Sequence, residues 1–196
     1  MEFLEVIAKS CEGGVTLVQL REKELSGRGY YDLAVKVKNV TDRFGVPLII
    51  DDRMDVAMAS GAAGVHLGQS DLPIAAAREV MGPDKIIGAT AKTVEQARAA
   101  EIAGADYLGV GAIYPTTTKV VTVITPVATL TDISTNVSIP TVAIGGLNVG
   151  NLDVLYGSGA SGIAVVTAIM KSDNPKKMAA ELRRLAELGV KGGSIC

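Results

Sequence analysis

The segment Gln19-Leu20-Arg21-Glu22-Lys23 sets an amide and two cations at alternate positions. Alternate residues of an extended chain share a face. These three side chains would grip a pyrophosphate there, Arg21 as a planar fork and Lys23 as a point charge. The plainer alternative is a solvated, charged strand end. Further on, Asp51-Asp52-Arg53 closes another apolar run. Adjacent carboxylates at the end of a buried strand are costly unless paired or metal-bound, and magnesium shares oxygen ligands with substrate phosphates. Asp52 would otherwise cap the following helix. Asp71, in His66-Leu67-Gly68-Gln69-Ser70-Asp71, is either another helix cap or a second magnesium ligand facing Asp52. His66, the only histidine, sits in an apolar run and reads first as a packing and hydrogen-bonding group. Acid–base work would require an oriented partner. Thr90 ends one apolar run, and Thr116-Thr117-Thr118-Lys119 follows another, with hydroxyls and an ammonium able to hold an anion. Gly145-Gly146 and Val166-Thr167 close the last two runs. Paired glycines admit backbone N–H groups to a phosphate, and the next helix start adds its dipole.

These groups all follow short apolar runs, so the runs must be the elements that position them. The expected strands are Val15–Leu20, Pro47–Ile50, Gly64–Leu67, Ile86–Ala89, Tyr107–Val110, Thr141–Ile144 and Gly162–Val166. The expected helices are Glu2–Ser10, Gly29–Phe44, Met54–Ser60, Ile74–Met81, Val94–Ala103, Val127–Ser134, Gly150–Tyr156 and Pro175–Leu188. Four helix–Gly–strand junctions, such as Ser60-Gly-Ala-Ala-Gly-Val and Ser158-Gly-Ala-Ser-Gly-Ile, argue for serial βα units and a parallel sheet. The expectation is an α/β fold, a TIM (β/α)8-type barrel over residues 1–188, with a flexible tail at 189–196. The first strand of such a barrel is missing, because the chain opens on a helix. An open doubly wound sheet is disfavoured, since no GxGxxG follows the first strand.

Composition narrows the partners. Of 196 residues, 48% are hydrophobic and 20% charged, and the net charge is −2, a globular balance without a basic block. Nucleic acid is therefore not an expected partner, and no apolar run is long enough to span a membrane. Cys11 and Cys196 match no zinc or redox spacing. A reducing cytoplasm is the expected compartment. A homo-oligomer is allowed, and the sequence does not specify its size.

The segments VQLREK, GVHLGQSDLP, ADYLGVGAIYPTTTK and IPTVAIGGLN, in this order and spacing, are similar to the blocks of thiamine phosphate synthases. That resemblance covers nearly the whole chain. It implies small-molecule substrates: a pyrimidine methyl diphosphate joined to a thiazole phosphate, with loss of pyrophosphate. It further implies that Gln19 contacts the pyrimidine, that Arg21, Lys23 and Lys119 hold the pyrophosphate, and that Asp52 and Asp71 bind Mg2+. Thr116 and Thr118 would face the thiazole phosphate, which Gly145, Gly146, Val166 and Thr167 would cradle. Asp51, His66 and Thr90 complete the expected substrate contacts.

The chain departs from the family pattern at several places. Asp51 stands where Asn is usual, Thr90 where Ser is, Lys92 where His is, and Val121, Ala63 and Ser161 where Asp is common. The family's opening Tyr–Leu–Val–Thr-like strand is absent. Two other readings follow from these departures: a thiazole tautomerase of the related branch, which relies on the His replaced by Lys92, and a non-catalytic barrel that binds thiamine precursors.

Overall fold

The apolar runs are too short for helices and rich in Val, Ile and Ala, the composition of strands covered on both faces. In the computed structural model, which describes residues 1–116 and 123–189 and the backbone of 194–195, they form β1 (Val18–Leu20), β2 (Leu48–Asp51), β3 (Gly64–Leu67), β4 (Ile86–Ala91), β5 (Tyr107–Gly111), β6 (Thr141–Ile144) and β7 (Gly162–Ala164). Each strand is parallel to the next in chain order, with Gln19 opposite Ile49, Asp51 opposite His66 and Thr90 opposite Gly109. These seven strands make the body of a curled α/β sheet of TIM type. Its strictly sequential order has none of the reversal of a doubly wound sheet.

Amphipathic segments supply the outer layer: α1 (Phe3–Glu12), α2 (Gly27–Asp42), α3 (Met54–Ser60), α4 (Ile74–Met81), α5 (Val94–Ile102), α6 (Val127–Asn136), the short α7 (Thr167–Met170) and α8 (Pro175–Gly189). Helix α1 packs against both α2 and α8, so the helical ring joins its two ends. Lys176 on α8 meets Glu12 at 3.1 Å, and Arg183 donates to the Gly14 carbonyl at 3.1 Å. The tail expected to be loose contributes β8 (Ser194–Ile195), which extends β7 in parallel. Among the described residues, no ladder joins β8 back to β1.

Several expected boundaries shift. Val15 does not begin β1, because its N–H still bonds to the Ser10 carbonyl in the turn that ends α1. The stretch Gly150–Tyr156 yields only a 3-10 helix over Leu152–Leu155. Strand β7 stops at Ala164, and Val166 precedes α7 directly.

The core divides along the sheet. Leu20, Tyr30, Ile50, Val65 and Ile87 pack together under α2 and α3, while Leu108, Leu130, Ile133, Ile163 and Leu182 fill the other half. His66 is buried on β3, and glycines make room for it. A Cβ at Gly88 would overlap the Tyr107 ring and stand 2.5 Å from His66 Nδ1, while one at Gly109 would lie 3.1 Å from His66 Cε1. Gly88→Ala should therefore displace both rings and destabilise the fold by about 2 kcal/mol, as overpacking does. A thermal melt is expected to show a fall of roughly 6 °C.

Candidate active site at the carboxyl ends of the strands

β1 ends at Leu20, so Arg21 and Lys23 lie beyond the strand rather than alternating along it. They converge nonetheless. Gln19 Nε2 donates to Asp51 Oδ1 at 2.7 Å, Arg21 Nε meets Asp51 Oδ2 at 3.2 Å, and Lys23 pairs with Asp52. The Tyr30 hydroxyl on α2 fastens the ends of β1 and β2, bonding the Leu20 carbonyl at 2.6 Å and the Asp51 carbonyl at 3.3 Å.

Asp52 turns out of β2 with φ +63°, the one positive φ outside glycine among the described residues. Its N–H bonds the His66 carbonyl at 2.9 Å. Strained backbone of this kind survives where surrounding structure over-determines it, often at functional sites. The alternative helix-cap roles are not realised. Arg53 and Pro73 occupy the cap positions of α3 and α4, and Asp71 instead accepts from the Gly68 N–H at 2.7 Å.

The carboxyls differ in how firmly they hold a proton. Burial, then repulsion from Asp52, pushes Asp51 up to about 6, against the pull of Arg21 and Gln19. Burial also works against the Asp52 carboxylate, but Lys23, Asp71 and Arg21 outweigh it and hold Asp52 below the usual range. Asp71 is raised by burial and by the neighbouring Asp52. Two neighbouring carboxyl groups are a donor set that a divalent cation can use, leaving its other positions for substrate oxygens. Asp52 and Asp71 thus fit Mg2+ as a pair completed by substrate. Among the described residues, no group of three or more His, Cys, Asp or Glu could hold a metal alone.

Thr90 stands at the end of β4, held to His66. His66 Nε2 lies 3.0 Å from Thr90 Oγ1, and Nδ1 lies 3.1 Å from the Tyr107 hydroxyl. Gln69 Nε2 donates to the Thr90 carbonyl at 2.6 Å. Burial drops His66 to about 4, so its ring is neutral and positions Thr90 rather than carrying charge. The folded value lies below the ordinary 6.5, so the unfolded chain protonates first as pH falls. Stability from neutral His66 is complete above about 6.5 and erodes toward about 4, by up to ~3 kcal/mol. Asp51 has the opposite slope, so the check is a comparison. Unfolding free energies of the wild type and His66→Gln, measured from pH 7.5 to 4.5, should show the wild type losing more.

On the far rim, Gly145 and Gly146 have φ +104° and +66°. A Cβ on Gly146 would meet Tyr114 Cβ at 2.6 Å, so these glycines also admit the loop after β5, where Tyr114 N donates to the Gly145 carbonyl at 3.0 Å. The helix dipole expected behind them is missing, because only the 3-10 turn follows. Asn151 instead donates to the Gly146 carbonyl at 3.0 Å. Val166 and Thr167 are exposed at the start of α7, one strand along. Thr116 is described and engaged in an interaction, whereas Thr118, Lys119 and Val121 lie outside the described residues. The contacts place Gln19, Arg21, Lys23, Asp51, Asp52 and Asp71 in one cluster, with His66 and Thr90 on the adjoining strands.

Residues 1–169 match the family model described as thiamine monophosphate synthase. The chain belongs to that family. It is 54% identical over 170 residues to thiamine-phosphate synthase from Lacticaseibacillus paracasei, covering 87% of this chain and 80% of the relative. It is 48% identical over 175 residues to the Methanobrevibacter smithii enzyme, covering 89% and 84%. A solved thiamine phosphate pyrophosphorylase from Pyrococcus furiosus superposes with a TM-score of 0.86 at 37% identity, over 95% of this chain and 90% of that one. A 3-hexulose-6-phosphate synthase at 19% identity and TM-score 0.71 shares the fold alone. Family membership makes this chain an enzyme of the transferase class. No helix among the described residues is long and apolar enough to cross a membrane. Tyr30, Gln69, Tyr107 and Asn151 carry contacts that motif reading passed over, though Gln69 and Tyr107 stood inside the quoted blocks.

Proposed function

We propose that the chain is a thiamine phosphate synthase. It joins 4-amino-2-methyl-5-(diphosphooxymethyl)pyrimidine to 4-methyl-5-(2-phosphooxyethyl)thiazole, or its carboxylated form, giving thiamine phosphate and pyrophosphate. The observation that carries this reading is the convergence of Arg21 and Lys23 with Asp51, Asp52 and Asp71 at the ends of β1 to β3. A neutral substrate would not call for such a cluster.

Arg21 and Lys23, joined by Lys119, bind the diphosphate and stabilise the charge that grows on it as the C–O bond breaks. The amino group of the pyrimidine feeds electrons to the methylene carbon, so the bond ionises without a protein nucleophile. Asp52 and Asp71 would hold Mg2+, which supplies further charge neutralisation on the leaving pyrophosphate. Thr90, oriented by His66, donates toward the same anion. Gly145, Gly146, Val166 and Thr167 hold the thiazole by its phosphate, so that its nitrogen lies close to the carbon it attacks. Excluding water from the site would protect the cation until the thiazole nitrogen attacks.

The test is to incubate the purified chain with both precursors and Mg2+ and assay thiamine phosphate as thiochrome fluorescence. Product supports the reading. Precursor binding without product would favour a binding protein, and isomerisation of a thiazole carboxylate alone would favour the tautomerase branch.

A further inference from the structure

Asp51 is not explained by the chemistry above. It is a buried carboxylate beside a second carboxylate, at the mouth of a site that binds anions, where it repels substrate unless it does something else. Its contacts show what that is. One oxygen accepts the Gln19 amide N–H at 2.7 Å and the other forms an ion pair with Arg21 Nε at 3.2 Å. A carboxylate only accepts, and an arginine only donates. The amide of Gln19 therefore has one permitted sense: its NH2 turned to Asp51 and its carbonyl oxygen turned away.

We infer that Asp51 is a positioning residue that sets the substrate preference of the site, by fixing Gln19 to present a carbonyl acceptor to the incoming ring. This rests on the reading of the site as the place where a pyrimidine diphosphate binds. Nε2 has a second hydrogen beside that oxygen. The outer edge of the amide thus shows an acceptor next to a donor, the complement of an exocyclic amine next to a ring nitrogen. The oxo counterpart of the same ring shows the opposite pattern, a carbonyl next to a ring N–H. An unrestrained amide would turn over to meet it, and Asp51 forbids the turn. The site therefore takes aminopyrimidines and rejects pyrimidinones. The contact to Asp51 engages the inner nitrogen of Arg21, so its two terminal nitrogens are not spent on that contact.

Isothermal titration of the full chain with the aminopyrimidine methyl diphosphate and with its 4-oxo counterpart, both in Mg2+, reads this directly. The wild type should favour the amino form by about 100-fold, the scale on which an unpaired buried polar group is penalised. In Asp51→Ala the ratio should fall at least about tenfold, with affinity for the oxo form rising as the amide turns. Gln19→Leu, which leaves the carboxylate in place, should lose the preference without any gain for the oxo form. A merely structural role for Asp51 would weaken both ligands alike. A ratio unchanged in both variants overturns the inference. Thiamine phosphate formation by the wild type is measured on the same preparation. A wild type that makes product while the variants keep its preference removes this inference alone. A wild type that makes none removes the reading beneath it, and the inference with it.

Discussion

Arg21→Ala is expected to lower kcat by about 10²–10³-fold, the usual loss when one preorganised donor is taken from a developing anion. The effect has two parts. One cation is lost from the pyrophosphate grip, and Asp51 loses the guanidinium that offsets it. The remaining carboxylates then repel the substrate they had helped to place. KM for the pyrimidine diphosphate should rise as well, while KM for the thiazole phosphate stays within about threefold, because the subsites proposed for the two phosphates lie at different strand ends. Arg21→Lys should recover little, since an ammonium cannot serve Asp51 and a diphosphate with separate planar donors. Steady-state kinetics with each substrate varied in turn check both halves. An equal rise in both KM values would mean that Arg21 supports the whole rim rather than one subsite.

The second large effect is at the carboxyl pair. Asp52→Ala should reduce kcat/KM by about 10³-fold, and excess Mg2+ should not restore it, because one of the two carboxyls proposed to hold the metal would be gone. Asp71→Ala should behave alike. Chelation of the wild type should give the same loss, reversed by adding Mg2+ back. The carboxyls are unequal: Lys23 helps hold Asp52 low against burial, while burial and Asp52 raise Asp71. A cation and protons compete for the same carboxyl oxygens. Metal affinity should weaken as pH falls, which Mg2+ titrations at pH 8 and pH 6 would measure. Full activity of Asp52→Ala in saturating metal would remove this pair from the chemistry.

Much of this was legible because barrel chemistry gathers where strands end, and those ends are marked in the chain. Apolar runs stop at Leu20, Ile50, Leu67 and Ala89, and the polar groups after them are the ones that meet. What stayed hidden depends on register. Tyr107 begins β5, yet its hydroxyl reaches His66 on β3, across a gap that exists only because Gly88 lies between. Asp51 reads in the chain as half of an acidic pair. Its task of bridging Gln19 and Arg21 appears only once β1 and β2 lie side by side. The glycine pair misled in one respect, since local pattern gave no sign that the next helix would shrink to a single 3-10 turn and that Asn151 would fasten the loop instead.

At the centre of the account is a carbocation formed against a clamped diphosphate and captured by a thiazole before water arrives. Rapid chemical quench of one turnover, with pyrophosphate, thiamine phosphate and free hydroxymethylpyrimidine all quantified, examines that claim in one mixture. The account predicts pyrophosphate and thiamine phosphate in equal amounts, rising together, with no hydroxymethylpyrimidine. Pyrophosphate matched by hydroxymethylpyrimidine would describe a diphosphate hydrolase, and the account would be wrong.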